Sequence, residues 1–124
     1  MISGIVTAQN EPIISLKIFD NNEQEHDFDA IIDTGYTGWL TLSIEKITAF
    51  GLKWHWRGRA TLANGQEVLF NVYEADILWN DIKRTITIDA LDTDSLVDMK
   101  LMHGYLLTVD DIEGGSVTLE LLEK

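Results

Sequence analysis

Phe28-Asp29-Ala30-Ile31-Ile32-Asp33-Thr34-Gly35-Tyr36-Thr37-Gly38 is the stretch whose reading decides the fold. An apolar run delivers a carboxylate to the mouth of a tight turn, and a hydroxyl and a glycine follow directly. Ala30-Ile31-Ile32 predicts a buried strand, which leaves Asp33 at the strand's end, partly shielded from water. Gly35 and Gly38 relax the backbone on either side of Tyr36 and Thr37, so another chain or a ligand can approach closely. Asp33 is the candidate for chemistry.

Upstream, Ile13 to Phe19 alternates, with Ile14, Leu16 and Ile18 on one face and Ser15 and Lys17 on the other, as in a half-buried strand. Asp20-Asn21-Asn22 reads as a turn, and Gln24 to Phe28 returns towards Asp33. Downstream, Trp39 to Leu42 reads as a short apolar strand. Ser43 is a plausible N-cap for a brief helix with Ile44, Ile47 and Phe50 on one face and Gly51 as its stop. Trp54 and Trp56 fall on one side of an extended segment and read as core or interface aromatics in preference to a ligand-stacking platform. Gly58 to Phe70 predicts a hairpin turning at Asn64-Gly65, where both central residues tolerate positive φ.

A further strand runs towards Leu78-Trp79, turns at Asn80-Asp81 and returns through Thr85 to Ile88. Asp89 to Ser95 is polar and reads as a loop. Its Asp92-Thr93-Asp94 lacks the spacing and the glycine of a calcium loop. Leu96 to Met102 is apolar with two charges inserted, and Met99 to His103 is compatible with a single helical turn. Leu106 to Val109 and Val117 to Leu121 form a last hairpin across Gly114-Gly115. Many short strands with regular turn signals make the expected class all-β, a barrel or sandwich with one or two helical turns.

The 124 residues suit one domain spanning 1–124, long enough to bury roughly two-thirds of its unfolded surface. The 45% apolar and 24% charged content is that of a globular chain. No apolar run approaches the ~20 residues of a membrane span, and Met1-Ile2-Ser3-Gly4 carries no basic leader. The chain has no cysteine, which suits a reducing cytoplasm, the expected location. A formal net charge of −12 argues against nucleic acid and anionic membranes as partners.

His26, His55 and His103 match no metal-ligand spacing, so no metal is expected. Neither a Gly-x-Ser-x-Gly elbow nor a phosphate-binding glycine loop is present. The acids supply many candidate glycosidase pairs, with no specificity in any of them. Only Asp33 has a local context with mechanical meaning.

Ile31-Ile32-Asp33-Thr34-Gly35 resembles the apolar-apolar-Asp-Thr-Gly signature of the aspartic proteases, and the order of elements resembles the single-domain, bacterial-type retropepsin-like group. The Asn64-Gly65 hairpin stands where that group has its flap. Leu96-Val97, then Met99 to Met102, stand where an apolar-apolar-Gly segment leads into a short helix. The hairpin from Leu106 to Leu121 resembles the tail of bacterial relatives.

The resemblance implies a small closed acid-protease-like β-barrel acting as a homodimer on peptide or protein substrates. Asp33 of each copy would share a proton across the two-fold axis and activate water, with no cofactor or metal. Thr34 would hydrogen-bond across the dimer, and Gly35 would leave room for that crossing. A flap around Ala63, Asn64 and Gly65 would cover the substrate. Three positions depart from the pattern: Tyr36 follows Asp-Thr-Gly where a small residue is common, Thr37 stands where retroviral members clamp substrate with Asp, and Asp98 replaces the glycine. A non-catalytic dimerisation or peptide-binding module of the same fold, and an unrelated small β-barrel binding protein, are the competing readings.

Overall fold

The computed structural model describes residues 1–123. In chain order the elements are β1 (Ile2–Val6), β2 (Pro12–Phe19), β3 (Glu25–Ile32), β4 (Leu40–Leu42), α1 (Ile44–Phe50), β5 (Lys53–Thr61), β6 (Glu67–Trp79), β7 (Ile82–Ala90), β8 (Leu96–Val97), β9 (Tyr105–Val109) and β10 (Ser116–Leu121). They form one sheet in the order β5-β6-β7-β4-β8-β3-β2-β1-β10-β9. Because β6 also pairs with β2, at Lys17↔Leu78 and Ile18↔Ile77, the middle of the sheet curls into a ring. The expected closed barrel takes the form of this ring, with β5 extending one side and β1-β10-β9 the other.

The alternation in β2 sends Ile14, Leu16 and Ile18 into the core, with Phe28, Ala30 and Ile32 of β3 beside them. Leu40, Leu42, Ile77, Trp79, Ile88, Val97 and Leu119 belong to the same core. Burial of such side chains is the main favourable term, about 1.5–3 kcal/mol each before chain entropy is set against it.

The helix starts and stops as expected. The Ser43 hydroxyl accepts from the Lys46 amide, and Gly51 closes the helix in the left-handed region at φ +61°. Of its anticipated face only Ile47 is fully buried, while Ile44 is exposed. Each three-residue step falls about 60° short of a full turn, so Ile44 and Phe50 lie on either side of the buried line through Ile47.

Several other expectations are corrected. β1 was not anticipated from its short Ile2-Ser3-Gly4-Ile5-Val6 run, yet it pairs with both β2 and β10. Asp89 belongs to β7 and not to a loop, with Thr41 and Val72 as its cross-strand partners. The residues from Met99 to Gly104 form turns and no helix. A core place for Trp54 and Trp56, one half of the core-or-interface reading, is also corrected: both are exposed, because β5 is an edge strand paired with β6, and a bulge at His55 interrupts their register.

The two hairpin turns also exchange character. Asn80 (φ 52°) and Asp81 (φ 66°) both take positive φ between paired Trp79 and Ile82, the two-residue hairpin geometry. At Asn64-Gly65 only Gly65 is left-handed, at φ 83°. The loop there is longer, closed by Leu62 N–H to Gln66 O at 2.8 Å and by the Asn64 side chain accepting from Gln66 N–H at 2.9 Å.

Candidate active site

The end of β3 brings Asp33 out of the core. β8 threads between β3 and β4, parallel to the first (Ile32↔Val97) and antiparallel to the second (Leu40↔Val97). The Asp33 amide donates to Val97 O at 2.9 Å, which continues the ladder one residue past the strand. The Asp33 carboxylate then turns back on its own loop, its Oδ1 accepting from the Gly35 amide at 2.9 Å. Thr34 and Gly35 are exposed at the apex.

The loop is clasped from the other side by the segment after β8. Asp98 N–H donates to Trp39 O (3.1 Å), Met99 N–H to Tyr36 O (2.9 Å) and Lys100 N–H to Gly38 O (2.9 Å). Main-chain bonds on both flanks give the loop that carries Asp33 a defined course. Gly38 is closely surrounded: a Cβ there would lie 2.8 Å from Tyr36 Cε2, 3.0 Å from Asp89 Oδ2 and 3.1 Å from Asp98 Oδ2. Two carboxylates and a phenol therefore meet around one glycine.

Asp98, where glycine was expected, is fully buried. Its Oδ2 accepts from the Thr41 hydroxyl at 2.7 Å, and its Oδ1 has no hydrogen-bond partner. Burial pushes its carboxyl up to about 7; the Thr41 bond opposes this, while the charges of Asp33 and Asp89 add to it. Asp89 is also raised by burial, against the opposing effects of the Tyr36 bond and of Lys100. The Tyr36 hydroxyl donates to Asp89 Oδ2 at 2.8 Å. Burial, then Asp89, holds the phenol well above its ordinary range, so it stays a donor. Tyr36 is thus a strut between the loop and β7, a role its bulk alone did not signal.

A cleft of about 380 Å³ opens between this loop and the β5–β6 hairpin. Trp56, Gly58, Phe70 and Val72 form its hairpin wall, and Trp39, Asp89 and Lys100 line the opposite side. Ala63, Asn64 and Gly65 sit at the exposed hairpin tip and do not line it. Trp56, for which a ligand-stacking role was the less favoured reading, does line the cleft, and Phe70, Val72, Thr87, Asp89 and Lys100 line it without having been singled out as site residues. The alternation of Phe70 with Leu69 was the available signal for one of them; nothing local marked Asp89.

The fold has a counterpart among solved structures. The crystal structure of a retropepsin-like aspartic protease from Rickettsia conorii matches with a TM-score of 0.61 over 96% of this chain and 88% of that chain. The fold is retropepsin-like. The two sequences are 15% identical, so the likeness carries architecture only. No protein-family model and no curated protein matches the chain. Asp33, Thr34 and Gly35 share a loop with Thr37 and Gly38 but do not themselves line the cleft. Among the described residues no cluster of His, Cys, Asp and Glu is arranged to hold a metal, and no helix is long and apolar enough to cross a membrane.

Proposed function

We propose that this chain, as a single domain over 1–124, is a homodimeric aspartic endopeptidase. The observation that carries the proposal is the placement of Asp33: one carboxylate, oriented by the Gly35 amide, on an exposed loop of a retropepsin-like fold. A lone carboxylate supplies half of an acid–base pair, and Asp33 of a second copy supplies the other half. The two share a proton, since adjacent like charges cannot both ionise. The ionised member takes a proton from a bound water, and the protonated member polarises the scissile carbonyl. No cofactor enters the scheme.

Within one chain the Thr34 hydroxyl is exposed and has no partner among the described residues, and beyond the Asp33 carboxylate nothing crowds Gly35. Both facts suit a second loop crossing there. An extended peptide lies between the loops and the β5–β6 hairpin, pairing its main chain with the edge strand β5 and filling the cleft at Trp56. The cysteine-free chain suits work in a reducing cytoplasm.

The test is hydrolysis of a peptide mixture at pH 4–7 together with sedimentation. The proposal expects cleavage by a dimer, with Asp33→Asn folded but at least about 10³-fold slower. Intact peptides at every pH with a folded wild type, or a strict monomer at high concentration, overturn it. A second reading, a non-catalytic peptide-binding module, is favoured by one observation: buried Asp98 in place of the glycine beside the site. Peptide binding without cleavage would establish that reading.

A further inference from the structure

The clasp around the Asp33 loop contains a group that the hydrolytic scheme does not use. Asp98 follows Val97, whose carbonyl takes the Asp33 amide, and its own amide bonds Trp39 on the far side of the loop. Its side chain is fully enclosed, with one oxygen on Thr41 and the other unpartnered. Across Gly38 it faces Asp89, and Asp89 in turn holds Tyr36. The titratable and charged groups around it are Asp33 at the end of β3, Tyr36 in the loop, Asp89 on β7 and Lys100 in the following turn. Lys100 acts on Asp89, and among the described residues no cation offsets the charge of Asp98.

We propose that Asp98 is a positioning residue that makes the closed form of the Asp33 loop depend on its own protonation. As a neutral acid it is compatible with its sealed site, since an unpartnered neutral oxygen costs far less than an unpartnered buried charge. When its proton leaves for solvent, the new charge faces Asp33 and Asp89 with only the Thr41 hydroxyl to offset it. Both carboxylates reach the space beside Gly38, where a Cβ would lie 3.0 Å from Asp89 Oδ2 and 3.1 Å from Asp98 Oδ2, and the repulsion acts there. The bonds that yield are those of the clasp: Asp98 to Trp39, Met99 to Tyr36 and Lys100 to Gly38. Loosening them displaces Asp33 from the position a dyad needs. A glycine at 98 has no such dependence.

The effect on hydrolysis rests on the endopeptidase reading, while the effect on the loop does not, so the experiment reads both. Amide shifts of Tyr36, Gly38 and Trp39 are followed by NMR from pH 4 to 9 in the wild type, Asp98→Asn and Thr41→Val. The wild type should show one common transition with a midpoint near 7, and Asp98→Asn should lose it. Thr41→Val removes the bond that favours the ionised form and should move the midpoint upward, which keeps the test open if Asp98→Asn does not fold. Peptide hydrolysis by wild type should fall about tenfold per unit above the midpoint, with that limb absent in Asp98→Asn. Three results overturn the proposal: loop shifts that do not titrate, a transition that survives Asp98→Asn, or a midpoint unmoved by Thr41→Val. Titrating loop shifts with no hydrolysis at any pH would uphold the brace and reject the enzyme.

Discussion

Thr41 donates its hydroxyl to Asp98 across 2.7 Å at a point where neither side chain is exposed to solvent. The residues are 57 apart in sequence, and the bond joins the middle of β4 to the segment that clasps the Asp33 loop. It is the sole hydrogen bond of the Asp98 carboxylate among the described residues, so the stability of this corner depends on the charge Asp98 carries.

The first prediction concerns stability against pH. The Asp98 carboxyl is raised from 3.8 to about 7, so the folded state binds its proton more tightly than the unfolded state. Its favourable contribution is complete below the unfolded value, declines as pH rises, and is gone above about 7. Compared with Asp98→Asn, the wild type should lose on the order of 2–4 kcal/mol between pH 4 and 8. Urea unfolding of both proteins at several pH values measures the difference. A constant difference across that range would contradict the assignment.

Gly38→Ala should destabilise the chain by about 1–3 kcal/mol, because its Cβ would press on Tyr36, Asp89 and Asp98 together. Thermal unfolding is the direct measurement. An unchanged midpoint would mean that the clasp has more room than the three contacts indicate.

Gly35→Ala should separate fold from assembly. The added methyl meets only Asp33 Oδ1, at 3.3 Å, and the position does not use the left-handed region. Single-chain stability should change by less than about 1 kcal/mol. Dimerisation and hydrolysis should be lost if the proposed crossing holds, because the methyl would occupy the space that crossing needs. Sedimentation equilibrium alongside unfolding checks both halves, and a dimer of normal affinity would count against the proposed crossing.

Tyr36→Phe removes the donor to half-buried Asp89. The cost should be about 1.5–3 kcal/mol at neutral pH, as for loss of a hydrogen bond to a charged group. The carboxyl of Asp89 should also rise further, since the Tyr36 bond is the larger of the influences that lower it. Carboxyl-carbon NMR titration of the variant would detect the rise.

Trp56→Ala should leave stability within about 0.5 kcal/mol, because the side chain lies exposed on an edge strand. Peptide affinity should fall severalfold through loss of the cleft wall. Kinetic analysis separates the effects: KM should rise while kcat changes little.

Local pattern and tertiary structure contributed differently. Asp33 and its turn were legible because a strand, a carboxylate and two glycines lie in one contiguous stretch. The β2 alternation was legible for the same reason, and so were the caps of α1. Asp89 was not, since its meaning comes from Tyr36, 53 residues earlier, and from pairing with Thr41 and Val72. The exposure of Trp54 and Trp56 was hidden too: aromatic identity says that a side chain favours burial, not that its strand ends up at an edge.

By itself the sequence determined the strand that presents Asp33, the turns at Asn64-Gly65, Asn80-Asp81 and Gly114-Gly115, and the presence of Asp98 where a glycine was expected. These depend on interactions between residues a few places apart, which periodicity and side-chain chemistry record directly. Only the tertiary structure decided the surroundings of Asp98. It enclosed Asp98 between Thr41, Gly38 and Asp89 and clasped the Asp33 loop with the residues that follow. The charge of a carboxylate depends on how much water remains around it and on which charges face it, and distant segments set both when they pack together.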